Sequence, residues 1–476
     1  MPDTVTDPRF ADFPAAFKGR VLRAGESDFA SARLIWNMLR RDENPAVIAQ
    51  AADREDVAIA VAYANETGVP LAIHSGGHGI DGMAMPGAAL VLDLSKLKNI
   101  EVDPERRLVT IEPGVLLGEL DAAGQEHGLV VPAGVVSDTG ATGLALGGGI
   151  GHLTRRFGAT VDNIVSIEGI TADGATVTAS AESHPDLFWG LCGAGHNLAV
   201  VTSITFRAHP VGPRVMSGMM FYSADDAPKL FGNLDAVMAE APRELSIALI
   251  LLNAPPLPGL ADSVVGTPVI AVLVIYTGDL ARYEEATAGL RSLARPLVDD
   301  VTETTWAQAN SIADPFEPPG RAQYLRGGYM SGIDADLAAV ALHQVASCPR
   351  TEPPSPNCLV TLPILGGAIF DRPEDATAFS RTGAEWLYEV SAHWDDPADD
   401  SAHLDWVHET DALLRRWATP NAYVNLTTHR GAEWLRQAYG TDEKWRRLVE
   451  LKKAWDPDNR LAYNKNIRTA AEELGA

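Results

Sequence analysis

Between the apolar run Val69–Ile73 and the strand-like Val91-Leu92-Asp93-Leu94, the chain reads His74-Ser75-Gly76-Gly77-His78-Gly79-Ile80-Asp81-Gly82. No other segment restricts the fold so strongly. Glycines at 76, 77, 79 and 82 let backbone N–H groups close around an anion without Cβ obstruction, and Ser75 adds a hydroxyl donor. A diphosphate suits such a cradle. His78 is the reactive side chain held within it, so a ligand carrying both a diphosphate and an electrophilic ring would meet an imidazole there.

Two other readings of these letters fail on context. Gly77-His78-Gly79-Ile80-Asp81-Gly82 fits G-x-G-x-x-G after a strand, the mark of a Rossmann dinucleotide site. Such a loop must open a helix, yet Met83-Ala84-Met85-Pro86-Gly87 breaks one at once. Asp93 also follows too soon for the ribose contact, which needs a spacing of ~20 residues. His74 and His78 are four apart, but that spacing converges on a metal only along a helix, and this loop is too rich in glycine to be one. No metal site is expected. Flavin adenine dinucleotide (FAD) meets both demands of the loop.

The 476-residue chain is 46% hydrophobic and 21% charged, which suits a globular protein of two or three domains with a large core. Its 63 acidic against 38 basic residues give a net charge of −25, which repels nucleic acid and anionic lipid surfaces. Neither is expected as a partner. Residues 1–17 lack a basic stretch followed by an apolar run, and no stretch approaches ~18 apolar residues, so a cytoplasmic protein is expected. The three cysteines, Cys192, Cys348 and Cys358, are too few and scattered for a disulfide framework, and read as reduced thiols.

Along the first part, helices and strands alternate. An amphipathic helix is predicted over 31–41, and another capped by Asp53 and ended by Gly68; strands are predicted at 70–74, 89–94, 108–112, 164–172 and 200–207. After Pro210-Val211-Gly212-Pro213 the texture changes. Strands near 214–221, 245–251, 268–276 and 357–366 are separated by long helical stretches, an α+β pattern that fits an antiparallel sheet with helices on one face. The boundary is placed at 212. A final helix is predicted over 443–455.

Four motifs occur in order. They are Ser75-Gly76-Gly77-His78; Pro132-Ala133-Gly134 leading through Thr139-Gly140 to Gly147-Gly148-Gly149-Ile150-Gly151, with Val161-Asp162-Asn163 behind; Asp186-Leu187-Phe188-Trp189 with Gly195-His196-Asn197; and Asp456-Pro457-Asp458-Asn459 with Asn464-Lys465-Asn466. In this the chain resembles the FAD-linked oxidases of the vanillyl-alcohol oxidase superfamily, in the berberine-bridge-enzyme-like branch. The resemblance implies an FAD-binding domain of the p-cresol-methylhydroxylase (PCMH) type in two subdomains over 1–212. It implies an α+β substrate domain over 213–418, and a berberine-bridge-like segment over 419–476 that returns to the FAD domain. It places the cofactor at Ser75, Gly76, Gly77, His78, Gly79, Thr139, Gly140, Gly143, Leu144, Gly147, Gly148, Gly149, Val200, Val201, Asn464 and Asn466. Taken alone, the triple glycine also reads as a tight crossover, and the two asparagines as turn residues.

In the family the histidine at position 78 bonds to the flavin 8α-methyl carbon, and many relatives add a cysteine as second anchor. Val136 stands at that second place, so a single covalent bond through His78 is expected. His74 stands where relatives often have arginine. Thr139 falls where relatives use an aliphatic side chain to control oxygen access; it could orient dioxygen, or could simply satisfy a neighbouring carbonyl. The first candidate for a catalytic base is Tyr423, which could equally be a packed core tyrosine; Tyr324, Arg326 and His152 are weaker ones. The reading is an FAD-dependent oxidoreductase that removes hydride from a C–H of a small alcohol, amine or secondary metabolite, with dioxygen as acceptor. One alternative is an oxygenase using the Thr139 pocket, and another is a flavin-binding protein without turnover.

Overall fold

The structure is a computed structural model and describes residues 8–10, 13–349, 357–428 and 430–475. The first sheet is built from β1 (Arg20–Arg23), β2 (Val47–Gln50), β3 (Leu71–His74) and β4 (Leu90–Asp93), in the order β1-β2-β4-β3. β2, β4 and β3 run parallel, and β1 is antiparallel to β2. The helix Arg54–Thr67 makes the crossover from β2 to β3. The Asp53 carboxylate caps its start by accepting from the N–H groups of Glu55 and Asp56, and Gly68 ends it in the left-handed conformation. Val57, Ala60, Val61 and Ala64 of that helix bury against Val47, Leu90 and Leu92 of the sheet. β3 therefore delivers the chain, at His74, into the glycine loop, and no helix follows before β4.

The second sheet is antiparallel and contains β5 (Ile100–Asp103), β6 (Leu108–Ile111), β8 (Ile164–Ile170), β9 (Thr176–Ser180) and β10 (Val200–Arg207), in the order β5-β6-β10-β8-β9. β7 (Leu129–Val130) pairs with β11 (His209–Pro210) as a small ribbon. After a cis Gly212–Pro213 bond, β12 (Arg214–Ser223) opens the third sheet. Its other strands are β13 (Leu245–Asn253), β14 (Pro268–Tyr276), β15 (Val298–Asp299), β16 (Thr302–Thr305), β17 (Ala322–Met330), β18 (Cys358–Pro363) and β19 (Trp386–Trp394). The order is β15-β12-β14-β13-β18-β19-β17, with β16 also on β12, and every pairing is antiparallel.

Alternation along these strands sorts their side chains onto two faces. Leu245, Leu249 and Leu251 of β13 join Ile270, Val272 and Val274 of β14 in one core, with Leu230, Leu337, Ala341 and Val407 from helices Ala227–Phe231, Ala335–Ala346 and Asp400–Leu414. Ala248, Leu252, Ala271, Leu273, Met219 and Phe221 face the other way, in a cluster with Val130 and Leu153 of the N-terminal half. Helices thus cover one face of the sheet, and the N-terminal half lies against the other.

Two sequence expectations are corrected. The helix predicted over 31–41 is a single turn, Phe29–Ala32, because the later backbone groups have tertiary partners. Trp36 N–H donates to Gly77 C=O and Met38 N–H to Arg321 C=O, while Asn37 forms a bridge with Arg321. β17 and β19 lie where long helical stretches were expected. Among the described residues no helix is long and apolar enough to cross a membrane; residues 1–7, 11 and 12, on which part of the leader reading rests, lie outside them.

The C-terminal helix Asp442–Trp455 packs against helix Pro185–Ala194, and Leu461 bridges in parallel to Leu71 at the edge of the first sheet. A fully buried ion pair holds this return. Lys452 Nζ donates to Asp456 Oδ2 at 2.6 Å, to Asn197 C=O and to Leu461 C=O, while the N–H groups of Arg460 and Leu461 donate to the Asp456 carboxylate. Removing one charge leaves the other buried without compensation. Asp456→Asn is expected to cost about 3 kcal/mol, read as a lowered midpoint in chemical denaturation; an unchanged midpoint would show that the pair braces nothing.

Candidate active site

Two loops from two sheets meet at the glycines. A Cβ on Gly76 would lie 2.4 Å from Gly140 Cα, and one on Gly140 would lie 2.8 Å from Gly76 Cα. The backbones touch there, so any side chain at either position drives the loops apart. Among the described residues the N–H groups of Gly76, Gly77, His78 and Gly79 donate to no carbonyl. They line a cavity of about 650 Å³ between the two halves, together with the N-terminal turn of helix Ala141–Leu146. A row of unused donors at a Cβ-free contact is what a diphosphate needs.

Further unused polar atoms lie along the same wall. Thr142 Oγ1, His152 Nε2 and Asn464 Oδ1 are enclosed and have no hydrogen-bond partner among the described residues. Buried polar atoms are rarely left so. The donors, the orphaned atoms and the size of the cavity together fit a dinucleotide cofactor.

Residues 45–180 match the family described as FAD binding domain, and residues 422–468 the family described as Berberine and berberine like. An FAD-linked oxidoreductase of Aspergillus fumigatus is 35% identical over 436 residues, covering 87% of this chain and 89% of its own length. The chain belongs to the berberine-bridge-enzyme-like branch of the vanillyl-alcohol oxidase superfamily. It is an FAD-linked oxidoreductase, and its relatives' activities set aside the reading as a carrier without turnover. The (R)-6-hydroxynicotine oxidase of Paenarthrobacter nicotinovorans is 28% identical, covering 95% of this chain and 97% of its own. The crystal structure of 6-hydroxy-D-nicotine oxidase from Arthrobacter nicotinovorans superposes with a TM-score of 0.84 at 26% identity, covering 96% and 99% of the two chains.

In this oxidoreductase His78 is held from two sides. Its ring stacks on Trp36 with centroids 4.3 Å apart, and its Nε2 lies 3.1 Å from Asp138 Oδ1. Trp36 Nε1 in turn donates to Glu317 C=O. His74 has a different partner, since its Nδ1 lies 2.8 Å from Asp93 Oδ1. Burial alone would raise the Asp93 carboxyl, but the His74 imidazole, the Gln50 amide and the Ser95 N–H hold it well below the usual carboxylate range. The C-terminal segment reaches the glycine loop through Lys465, whose Nζ pairs with Asp81 Oδ2 at 2.5 Å.

Of the residues expected at the cofactor, Ser75, Gly76, Gly77, His78, Gly79, Thr139, Gly140, Gly143, Leu144, Val200, Val201 and Asn464 line the cavity, as does Val136. Four others, Gly147, Gly148, Gly149 and Asn466, lie off the wall. The Ser75 hydroxyl, on the wall, donates to Pro113 C=O and not toward the cavity. Gly147, Gly148 and Gly149 lie off the wall, at approaches so close that a Cβ would strike Asn425, Phe379 and Thr160 respectively; they form the tight crossover. Asn466 also lies off it. Its side chain caps helix Ile467–Leu474 by accepting from Thr469 N–H, and its amide donates to Asn459 Oδ1.

Tyr423 lines the cavity and is buried. Its hydroxyl oxygen accepts from Gly149 N–H at 3.1 Å and from the Asn425 amide at 3.0 Å. Burial pushes the phenol up to about 12 even against these donors, so at neutral pH it is held protonated. That is a poor general base. Tyr324 and Arg326 point away from the cavity: only Leu325 between them is on the wall, and Tyr324 hydrogen-bonds His408 Nε2 at 2.9 Å. His152 is on the wall, and burial pulls it down to about 4, so it is neutral.

The acid groups that sequence reasoning missed are Glu389 of β19 and Glu317 before β17. Both line the cavity and are half-buried. Burial pushes Glu389 up to about 7, and burial with the nearby Glu389 and Asp138 charges pushes Glu317 up to about 8. A signal for Glu389 existed: Trp386, Tyr388, Val390, Ala392 and Trp394 are apolar at every second position, which marks a strand with Glu389 on its other face. No comparable pattern marked Glu317, which sits in the irregular stretch 314–320. To the same cavity the third sheet contributes Met219, Phe221, Ala248, Leu252, Ala271 and Leu273, an apolar stretch of wall.

Proposed function

We propose that this oxidoreductase is an oxidase that carries its FAD covalently on His78 alone and removes hydride from a C–H of a small apolar organic substrate. The two glycine loops would hold the FAD, which when bound would supply a two-electron acceptor for the hydride and a route for those electrons to dioxygen, giving hydrogen peroxide. The reading is carried by one observation: an oriented imidazole and an enclosed carboxyl with a near-neutral pKa share one cavity wall.

His78 is suited to attachment. With Nε2–H donating to Asp138, Nδ1 keeps the lone pair that a bond to an electrophilic carbon requires, and no described residue competes for it. Val136 on the wall cannot form a thioether, and none of Cys192, Cys348 and Cys358 lines the cavity. Glu389 is suited to take the substrate proton. About half ionised near neutrality, it can accept a proton at the pH where the enzyme works, which the Tyr423 phenol cannot do. Tyr423 and Asn425 then act as hydrogen-bonding residues that hold the crossover in place. The apolar wall excludes water from the reacting C–H and selects an apolar substrate body.

A second reading, oxygen insertion, is favoured by Thr139, which lies on the wall with a hydroxyl that makes no hydrogen bond among the described residues. Turnover under ¹⁸O₂ separates the two. One peroxide per product without label is expected, whereas label in the product would favour the oxygenase.

Acid precipitation of the wild-type protein should carry yellow flavin into the pellet, and His78→Ala should leave it in the supernatant; flavin retained by the variant would overturn the attachment. For Glu389 the sign of the pH dependence follows from its state. Below about 7 the carboxyl is protonated and cannot accept a proton, so kcat/KM should rise with pH and level off above that value. Glu389→Gln should lower kcat by about 10² to 10⁴ and flatten that limb; an unchanged acid limb would remove Glu389 from the role.

A further inference from the structure

We propose that Glu317 is a cation-recognition residue and that the substrate presents a protonated amine on an apolar body. This rests on the oxidase reading above and adds a substrate class to it.

The argument begins with the charges on the cavity wall. Lys465 is already paired with Asp81. His152 and His196 are neutral, both drawn down to about 4 by burial, with the Lys465 charge adding to the effect at His196. His78 is engaged by Asp138. Among the described residues no other lysine, arginine or histidine lines the cavity. On the acidic side, the Asp300 carboxylate accepts from Met219 N–H, but the Glu317 carboxyl makes no hydrogen bond or ion pair among the described residues. Among the described residues the wall therefore offers an unpaired acid and no unpaired cation.

Glu317 is also fixed. Its N–H donates to Asp314 C=O, its C=O accepts from Trp36 Nε1, and Ile312 and Phe316 lie beside it on the wall. It is thus tied through Trp36 to the ring that stacks on His78. An unpaired carboxyl enclosed among apolar side chains is costly to ionise unless a cation joins it. The raised pKa values of Glu317 and Glu389 express that cost in the free cavity. An ammonium entering with an apolar body relieves it, a neutral alcohol does not, and a carboxylate adds to it.

The chemistry balances. An ammonium R₂CH–NH₂R′⁺ held at Glu317 loses its N–H proton to the Glu389 carboxylate. The freed lone pair then pushes the C–H electron pair out as hydride to the flavin, leaving the iminium R₂C=NHR′⁺. The substrate is oxidised by two electrons, the flavin is reduced by two, and the proton rests on Glu389.

Anaerobic titration of the holoenzyme with benzyltrimethylammonium, benzyl alcohol and phenylacetate, followed by flavin absorbance and calorimetry, tests this without turnover. The ammonium should bind at least about tenfold more tightly than the alcohol, and phenylacetate most weakly. Glu317→Gln should abolish the preference while benzyl alcohol binding and the flavin spectrum stay as in the wild type, and Glu317→Asp should retain part of it. Equal affinity for ammonium and alcohol in the wild type, or a preference that survives Glu317→Gln, would overturn the assignment. Flavin bleaching by neutral alcohols without any cation preference would overturn it while leaving the oxidase reading standing. A Glu317-dependent preference in a protein that no substrate bleaches would support Glu317 and sink the oxidase.

Discussion

The backbone contact between Gly76 and Gly140 is the constraint on which the site depends. One loop leaves the edge strand of the parallel sheet, the other enters helix Ala141–Leu146, and they approach so closely that neither has room for a Cβ. Among the described residues the N–H groups of residues 76–79 donate to no carbonyl, and these residues line a single cavity. The contact also sets His78 beside Asp138, which precedes Thr139 and Gly140 in the opposing loop. The imidazole that would hold the flavin is thus oriented by the loop that closes over the cofactor.

Several motifs that look chemical in the sequence are mechanical in the structure. Asp456 of Asp456-Pro457-Asp458-Asn459 forms the buried pair with Lys452 that fastens the C-terminal return. Asp162 of Val161-Asp162-Asn163 takes a two-point hydrogen bond from the buried guanidinium of Arg381, at 3.0 Å on each side. Lys444 donates to Glu374 and to Phe379 C=O. The first ties the C-terminal segment to Asn197 of the N-terminal half, and the other two join Asp162 and the C-terminal segment to the stretch that leads into β19. Breaking one exposes a buried charge, so these contacts hold the cavity in one shape. The triple glycine belongs with them, since it admits Asn425, Phe379 and Thr160 to the crossover and makes no cavity wall.

Much of the N-terminal half was legible because its signals are local. Asp53 and Gly68 mark the ends of a helix by their own chemistry, and a glycine loop after an apolar strand announces close backbone approach. The substrate domain was read less fully. β12, β13, β14 and β18 were visible as apolar runs, but β19 carries tryptophans, a glutamate and a histidine, and its alternation was passed over. The segment after Ala32 shows the opposite error: its helical spacing is real, yet tertiary partners at Gly77 and Arg321 take its backbone hydrogen bonds. Tyr423 was found by its segment, while its use as an acceptor for Gly149 N–H could not be foreseen from residues 274 positions apart.

The sequence by itself determined the family, the cofactor and the loop that carries His78, because each rests on residue type and short spacing: missing Cβ atoms, an imidazole and a fixed motif order. It also settled the absence of a cysteine at Val136. The tertiary structure alone decided which acids face the reacting space. Glu389 and Glu317 are ordinary surface-type residues in the sequence, and they acquire near-neutral pKa values only because a sheet and a loop from distant parts of the chain enclose them with apolar neighbours. Desolvation is a property of the enclosure and not of the residue, so it has no local signature.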